Sequence, residues 1–350
     1  MCPFRADRRR GSVLVILLWM LLAMSILCIS FAKSVRVEAN AAGNTRMLTS
    51  AYYLAQAGIN ETIYKLIVYR VEGGFRGQGE SPAATELEPK DIDLGKVTLR
   101  TDIGDVNVEI SDEDGKINVN RANKDLLLSL LLNLGVEEER ADIISDSILD
   151  WIDPDEDYHL NGAETDYYLG QENPYRSKNA SMDNIEELLL VRGVDAKLFY
   201  GHTFQDEAGT VQHVPGLNRC VTVYGTSAGV NINAAPYHVL LAVGFPPDMA
   251  RDIIQQRSEK PFKDNQDFSM RVPEAPGMEM LKAPIITRPP VQSSFFSLVS
   301  TAQLKNSQLR KTIFAVVRLN ARLPQKHSIV YWNENYFMQE NDSQTLQEQE

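Results

Sequence analysis

The chain has 350 residues, of which 43% are hydrophobic and 23% charged, so it is long enough for one large or two smaller packed domains. Its formal net charge of -12 argues against nucleic acid as a partner, because nucleic-acid binding proteins draw affinity from a basic surface. Two of its three cysteines lie within the first 28 residues, which excludes a disulfide framework or a thiolate zinc site in the rest of the chain.

The amino terminus combines a basic leader with a long apolar segment. The leader, residues 1–11, contains four arginines between Arg5 and Arg10 and ends at Gly11, and residues 13–32 then form an apolar run interrupted only by two serines. About 20 helical residues cross roughly 30 Å of hydrocarbon, so this run predicts a single transmembrane helix with the leader on the cytoplasmic side. An ordinary secretory signal is the alternative, but its apolar region covers only about 7 to 15 residues.

The helical pattern continues beyond the membrane. Apolar residues follow at mixed spacings of three and four up to about residue 70, and four glycines then stand between Gly73 and Gly79. We therefore expect one long helix over residues 12–70, whose second half is amphipathic.

Alternation of apolar and polar residues predicts strands on both sides of a helical region. The predicted strands are 96–101, 105–111 and 116–120 before that region, and 219–224, 295–300, 312–319 and 328–332 after it. Helical periodicity predicts helices within 123–152 and over 182–191. Residues 272–290 are predicted to form a linker, and residues 336–350 a disordered tail.

An internal repeat links two parts of the chain. Ile117-Asn118-Val119-Asn120 and Val230-Asn231-Ile232-Asn233 are each followed by an alanine, a glycine and a pair of isoleucines. Both copies resemble helix-hairpin-helix or SAM-like units, the second over residues 230–270, in which asparagine caps the following helix. One hypothesis is therefore a membrane-tethered helix-hairpin-helix protein that binds DNA. The acidic surroundings of the first copy instead favour packing modules and no nucleic-acid partner.

The negative charge is concentrated in one segment, residues 137–187, which contains 16 acidic residues against three basic ones. So many carboxylates close together repel one another unless they are solvated, protonated or bridged by a hard cation. A solvated loop and a calcium site are therefore the two interpretations of this segment, and we favour calcium.

The spacing of oxygen-bearing side chains supports calcium. Asp153, Asp155 and Asp157 alternate directly after a predicted helix, and Asn161 and Glu164 follow at the ninth and twelfth places counted from Asp153. EF-hand loops use this spacing to wrap six to eight oxygens around the ion. The sixth place holds a tyrosine where an EF-hand requires glycine, so the ligand set stays open at this point.

A short basic leader that ends in glycine, followed at once by an apolar helix with an amphipathic extension, resembles the amino terminus of type IV pilins and type II secretion pseudopilins. The resemblance implies that a prepilin peptidase cuts after Gly11 and leaves Ser12 as the new amino terminus. The fifth mature residue would be Ile16, where most of these proteins carry glutamate. Because that glutamate pairs with the terminal amine of a neighbouring subunit, its absence is typical of the subunit at the filament tip.

Two further runs carry a closer resemblance. The run from Asp150 to Glu164, with Asp-Trp-Ile-Asp-Pro-Asp and Asn-Gly-Ala-Glu, and the run from Glu186 to Gly193 resemble the signature of the pseudopilin K family. This implies an α+β fold, in which a long amino-terminal helix packs on a pilin-like antiparallel sheet. It also implies a large inserted α-helical domain of SAM-like or helix-hairpin-helix-like type. We therefore assign residues 71–120 to pilin-like strands, 121–218 to the inserted acidic domain, and 219–335 to returning strands with the second hairpin unit.

The same resemblance implies a role and a site. The role is that of a non-enzymatic minor pseudopilin that caps or initiates the pseudopilus tip in type II secretion, exporting proteins across the outer membrane. Its location would be the bacterial inner membrane, spanned once, with the carboxy-terminal domain in the periplasm. Its partners would be the minor pseudopilins I, J and H, the prepilin peptidase and secreted cargo. Calcium would be its cofactor, held by Asp153, Asp155, Asp157 and Glu164, with Asp166, Asn161 and Asn179 as further candidates.

A serine-hydrolase pattern, G-x-S-x-G, occurs at residues 225–229 around Ser227. A nucleophile elbow must launch a helix directly from the serine, but the residues that follow are predicted to be extended. A triad would also have to recruit Asp264 and His327 from distant parts of the chain. We therefore expect no enzymatic activity.

Overall fold

The structure, a computed structural model of the chain, describes residues 10–75, 95–205, 211–225, 228–273, 280–287, 293–305, 307–320 and 322–336. Its elements follow the predicted order, with a long helix first, then strands, a helical region and returning strands. Almost all of the predicted leader and of the predicted disordered tail lies outside the described residues.

The described elements have the following bounds. The strands are β1 Lys96–Arg100, β2 Gly104–Asp112, β3 Ile117–Asn118, β4 Gly201–Gln205, β5 Val211–Pro215, β6 Val221–Thr222, β7 Val230–Asn231, β8 Ile285–Ile286, β9 Phe295–Leu304, β10 Arg310–Leu319 and β11 His327–Asn333. The helices are α1 Arg10–Phe75, α2 Lys124–Asn133, α3 Glu138–Ile152, α4 Thr165–Leu169, α5 Ala196–Tyr200, α6 Leu217–Cys220, α7 Tyr237–Val243, α8 Pro247–Glu259 and α9 Asn265–Arg271. Two short 3-10 helices cover Glu113–Gly115 and Ile185–Leu190.

Helix α1 is 66 residues long and has two different halves. It extends beyond the predicted end at residue 70, because the glycines at positions 73 and 74 weaken a helix without forbidding it. All residues from 13 to 49 are exposed, whereas an apolar stripe between Ala51 and Leu66 is buried. The first half therefore stands free of the protein core, and the second half belongs to it.

The second half of α1 packs on an antiparallel sheet whose strands lie in the order β1, β2, β9, β10, β11. Ala55, Ile59 and Ile63 share one hydrophobic core with strand residues such as Val106. Gly58 makes this close approach possible, because a Cβ at its position would lie 2.6 Å from Cγ1 of Val106. The predicted fold class, a long helix packed on an antiparallel sheet with an inserted helical domain, is confirmed.

The helical region forms a second hydrophobic core, which extends from Ile117 to Ala283. Two short parallel strand pairs, β3 with β6 and β7 with β8, lie within it. The predicted boundary at residue 218 differs from this arrangement, because the second repeat copy, residues 230–270, packs with the first copy in the same core. Neither copy can bury its apolar faces alone, so α7 of the second lies against α2 of the first.

Three short elements also differ from their predictions. The strand predicted over 219–224 is divided between the end of α6 and the two-residue strand β6. The helix predicted over 182–191 is a 3-10 helix, Ile185–Leu190, and the linker predicted over 272–290 contains β8. Tertiary contacts determine the type and bounds of elements this short, and the periodicity of the local sequence does not predict such contacts.

The chain passes between the two cores at the end of β2 and again just before β9. At this junction Asp112 accepts a hydrogen bond from the hydroxyl of Ser293, and Glu113 accepts one from Ser297 at 2.7 Å. Glu113 also forms an ion pair with Lys116 at 2.6 Å. Burial raises the pKa of Asp112 to about 7, although the hydrogen bond from Ser293 opposes the shift.

Candidate functional site

Helix α3 ends beside a loop rich in carboxylates. Its buried face carries Ile144 and Ile148, and the residue after its end, Asp153, has an extended backbone that directs the chain away from the helix. Residues 153–164 form a loop that returns Glu164 to the end of α3, where its side chain is completely buried. A short helix, α4, follows immediately.

Two overlapping groups of side chains could hold a metal ion here, and both contain Asp153. In one group the ligand atoms of Asp153, Asp155 and Glu164 lie within 4.8 Å of one another, and in the other those of Asp150, Asp153 and His159 do. Three of the predicted ligands are thus brought together. Asp150 and His159 were not predicted, although Asp150 stands one helical turn before Asp153, a spacing that places two side chains on the same face.

Four oxygen atoms at this place are buried and have no hydrogen-bond partner among the described residues. They are Oδ2 of Asp150, Oδ1 of Asp153, Oε1 of Glu164 and Oδ1 of Asn179. An unpaired buried polar atom costs about 1–3 kcal/mol, so such atoms are rare in folded proteins. A cation coordinated by carboxylate and amide oxygens would give such atoms a partner, and the residues present therefore fit a hard divalent cation such as calcium.

The electrostatics of the loop point in the same direction. Burial, and after it the negative charges of Asp150 and Asp153, raises the pKa of Glu164 to about 7. Burial also raises the pKa of Asp153, followed by repulsion from Asp155 and Asp150. Without a cation these carboxyl groups retain protons to unusually high pH, because each ionised neighbour disfavours the next.

Asn179 approaches the loop from a distant part of the chain. Its backbone is in the left-handed region, with a φ of 47°, which asparagine tolerates better than most residues. Its side-chain amide donates hydrogen bonds to the carbonyl oxygen of Asp155 at 2.8 Å and to Oε1 of Glu156 at 3.0 Å. Its own Oδ1 is left as one of the four buried acceptors.

Three other predicted ligands have different surroundings. Asp157 is exposed, Asn161 donates its backbone N–H to Oδ2 of Asp146 on α3, and Asp166 accepts a hydrogen bond from the hydroxyl of Tyr158. Neither Asp157 nor Asp166 belongs to the two groups that could hold an ion. The sixth place of the loop holds a tyrosine where an EF-hand has a glycine, so this loop does not make the turn with which an EF-hand wraps its ion.

The remaining predicted site residues occupy other positions. Gly11 and Ser12 lie in the first turn of α1. Ser227, the candidate nucleophile, lies outside the described residues. Asp264 caps α9 by accepting a hydrogen bond from the backbone of Asp267 at 2.8 Å, and His327 is the first residue of β11.

Among the described residues, one helix is long and apolar enough to cross a membrane. It lies near the amino terminus within α1 and begins at Val13, and none of its apolar window is buried. The most hydrophobic part of the protein is therefore its least buried part, which indicates a membrane anchor.

Comparison with known proteins shows what this chain is similar to. The family model described as "Type II secretion system (T2SS), protein K" matches residues 104–200, which include the carboxylate loop. Type II secretion system protein K of Aeromonas hydrophila is 24% identical over 87% of this chain and 91% of its own length, and that of Pseudomonas aeruginosa is 25% identical over 75% and 76%. The chain is thus similar to type II secretion system protein K over most of its length.

Protein K of two further bacteria matches over shorter stretches. The protein from Pectobacterium carotovorum is 36% identical, but the match spans only 34% of its length and 28% of this chain. The match to the Klebsiella pneumoniae protein, at 28% identity, spans 60% of that protein and 55% of this chain.

A solved structure shares the fold of this chain. A chain from the crystal structure of the GspK-GspI-GspJ complex of enterotoxigenic Escherichia coli superimposes with a TM-score of 0.55, covering 83% of this chain and 94% of that chain at 19% identity. The likeness extends over both cores, since it covers most of the two chains.

Proposed function

We propose that this protein is a minor pseudopilin that caps or initiates the tip of the type II secretion pseudopilus during protein export across the outer membrane, and that it has no enzymatic activity. The observation that carries the proposal is α1, in which an exposed apolar half and a packed half form one continuous helix. Such a helix can be anchored in a bilayer at one end while its other end holds a folded domain.

The proposed location is the bacterial inner membrane, spanned once, with both hydrophobic cores in the periplasm. The arginines of the leader favour a cytoplasmic amino terminus. The prepilin peptidase then removes the leader by cutting after Gly11, so the mature chain begins at Ser12.

The proposed partners are the minor pseudopilins I and J, with H below them. The fold shared with a chain of the GspK-GspI-GspJ complex supports the first two. A place at the tip is supported by the helical region, whose size would hinder the stacking of further subunits, and by Ile16, an apolar residue at the fifth mature position. Secreted cargo would then meet the protein at the exposed end of the filament.

The proposed cofactor is calcium, bound between the end of α3 and the loop that follows. Asp153, Asp155, Glu164 and Asn179 would hold it, with Asp150 beside them. When bound, the ion supplies the positive charge that balances these carboxylates. The support for this proposal is the set of buried oxygens that lack hydrogen-bond partners among the described residues.

The role is tested with the full-length chain in a secreting host whose own protein K gene is deleted. We expect the chain to restore secretion, to copurify with pseudopilins I and J from detergent extracts, and to begin at Ser12 by mass spectrometry. A Gly11→Val variant, which crowds the bond to be cut, should retain the leader and fail to restore secretion. A mature amino terminus other than Ser12, without copurification of I and J, would contradict the proposal.

A further inference from the structure

The turn at residues 159–164 carries the chain from the exposed tip of the carboxylate loop back to Glu164. One side of this turn is held by α3. The backbone N–H of His159 donates to Oδ1 of Asp150 at 3.0 Å, and that of Asn161 donates to Oδ2 of Asp146 at 3.1 Å. Within the turn, the backbone N–H of Gly162 donates to the carbonyl oxygen of His159 at 3.0 Å. The carbonyl oxygens of Asn161 and Gly162 have a different partner.

That partner is Arg192, which follows the 3-10 helix. Its Nη1 donates to the carbonyl oxygen of Gly162 at 3.0 Å and lies 3.4 Å from that of Asn161. The guanidinium stacks over the ring of Tyr167, 4.8 Å from its centre, and the backbone N–H of Arg192 donates to the hydroxyl of Tyr168 at 3.3 Å. One half-buried arginine therefore contacts the chain on both sides of Glu164.

We propose that Arg192 is a positioning residue for the calcium site, an inference that rests on the calcium binding proposed above. Glu164 stands two residues after Gly162 and must face Asp153 and Asp155 before any ion is present. Repulsion among the three carboxylates favours movement of this turn away from the end of α3. A planar guanidinium with fixed donor directions resists that movement, so the loop is organised for the ion in advance.

An arginine that served only the fold would behave differently from a positioning residue. Its loss would lower the melting temperature of the calcium-free protein and leave the dissociation constant for calcium unchanged. The loss of a positioning residue changes the dissociation constant, because residues that orient metal ligands affect metal affinity by about 10- to 100-fold.

The chain offers a matched control in Arg140. This arginine also bonds a backbone carbonyl, that of Gly193, through Nε at 3.1 Å and Nη2 at 2.8 Å, and it forms an ion pair with Asp195 at 2.8 Å. The carbonyl that it bonds belongs to the residue that follows Arg192, but among the described residues the hydrogen bonds and ion pair of Arg140 go to Gly193 and Asp195 and not to the turn at 159–164.

The experiment measures calcium affinity by isothermal titration calorimetry on the full-length chain in detergent, for the wild type, Arg192→Lys, Arg192→Ala and Arg140→Lys. We expect the dissociation constant to rise about tenfold in Arg192→Ala, to rise less in Arg192→Lys, and to stay within twofold of the wild type in Arg140→Lys. Wild-type affinity in a folded Arg192→Ala variant would overturn the inference.

Hydrogen exchange in chelator gives a second measurement that needs no calcium. Backbone amides of residues 161–164 should exchange faster in both Arg192 variants than in the wild type, while those of α2 remain protected. Unchanged exchange at 161–164 would overturn the inference, even if one variant folds poorly. Failure of the wild type to bind calcium would reject the proposed cofactor and the inference with it, and faster exchange in the variants would then show that Arg192 serves the fold of the turn alone.

Discussion

Asn120 and Asn233 make the same pair of hydrogen bonds at corresponding places in the two repeat copies. The amide of Asn120 donates to the carbonyl oxygen of Met182 at 3.0 Å and accepts from its N–H at 2.7 Å. The amide of Asn233 does the same with Phe262, at 2.8 Å in both directions. Each asparagine therefore joins the start of its copy to the chain that follows the second helix.

The two copies differ in the number of residues between their second helix and the residue that the asparagine bonds. In the second copy only Lys260 and Pro261 separate α8 from Phe262, whereas in the first copy residues 153–181 separate α3 from Met182. The carboxylate loop thus lies within a long insertion, residues 153–181, at one of two equivalent positions of the repeat. Both copies retain the pair of hydrogen bonds made by the asparagine, which we call the asparagine clamp.

The clamp predicts different effects for two otherwise equivalent variants. Asn120→Ala and Asn233→Ala each remove two hydrogen bonds from buried backbone groups, so each should lower the free energy of unfolding by about 2–3 kcal/mol. Chemical denaturation in chelator measures this. Only Asn120→Ala should also weaken calcium binding, because only Met182 follows the insertion that contains the carboxylate loop. Equal calcium affinities in the two variants would contradict this prediction.

Removal of one charge from the loop should abolish the response to calcium. With calcium at 100 times its dissociation constant, the wild type should gain about 2.7 kcal/mol of stability. Glu164→Gln should gain much less. In chelator at pH 8 it should be at least as stable as the wild type, because it removes a buried negative charge that its neighbours repel.

Thermal unfolding of the full-length chain in detergent measures both effects. Glu172→Gln, a change at an exposed residue of the same acidic segment, is the control and should respond to calcium as the wild type does. A wild type whose melting temperature is equal in calcium and in chelator would reject the calcium site.

Calcium affinity should depend on pH near neutrality. The pKa of Glu164 in the folded protein is raised to about 7 from an ordinary value of 4.5, so the calcium-free fold retains a proton that the ion must displace. Affinity should therefore fall as the pH is lowered below 7, by up to about tenfold per pH unit for one displaced proton. Calorimetry at pH 8, 7 and 6 measures the trend, and a Glu164→Gln variant with the same pH dependence would show that another group is responsible.

The junction between the two cores should respond to pH in the opposite sense to a carboxylate that is ion-paired in the fold, because burial raises the pKa of Asp112 whereas an ion pair lowers that of a carboxylate. Because the pKa of Asp112 is raised to about 7 in the fold, its contribution to stability is complete below its unfolded value near 3.8 and is lost as the pH rises through 7. Asp112→Asn retains an acceptor for Ser293 and should remove this loss. Denaturation in chelator at pH 5 and pH 8 compares the variant with Asp105→Asn, an exposed position in β2 that should follow the wild type.

Substitution by alanine should have different effects on stability at two glycines of α1. At Gly58 a Cβ would lie 2.6 Å from Val106 and 2.9 Å from the hydroxyl of Ser300, so Gly58→Ala should destabilise the packing of α1 on the sheet by about 1–3 kcal/mol. At Gly43 nothing lies within 4 Å, so Gly43→Ala should be neutral or stabilising by up to about 1 kcal/mol. Denaturation midpoints of the two variants measure the difference, and equal midpoints would show that α1 does not pack on the sheet as described.

Local patterns are sufficient to predict the long helix and the five strands of the sheet. Each of these elements contains several repeats of its own period, as in β2, where buried and exposed residues alternate from Gly104 to Val108. The carboxylate loop was likewise predictable, because Asp153, Asp155 and Glu164 are close in sequence. The repeat was visible through its two Asn-x-Asn segments.

The remainder depends on contacts between distant residues. Asp150 has the helical spacing of a solvated residue on α3, yet it is completely buried because the turn at 159–162 folds over it. The absence of a side chain at Gly162 permits this, since a Cβ there would lie 1.8 Å from Oδ2 of Asp150. The boundary at residue 218 was displaced for a similar reason, because no local pattern shows that α7 packs against α2.

The exposed part of α1 between the apolar run and the sheet sets the distance between them. Residues 33–49 are exposed and helical, and at 1.5 Å per residue they hold the sheet roughly 25 Å from the end of the apolar run. Height and orientation are coupled in such a rod, because each residue adds rise and rotation together. Deletion of four residues from this stretch would lower the sheet by about 6 Å and turn it by about 40°, so the length of the rod determines which face of the protein is presented at a given height.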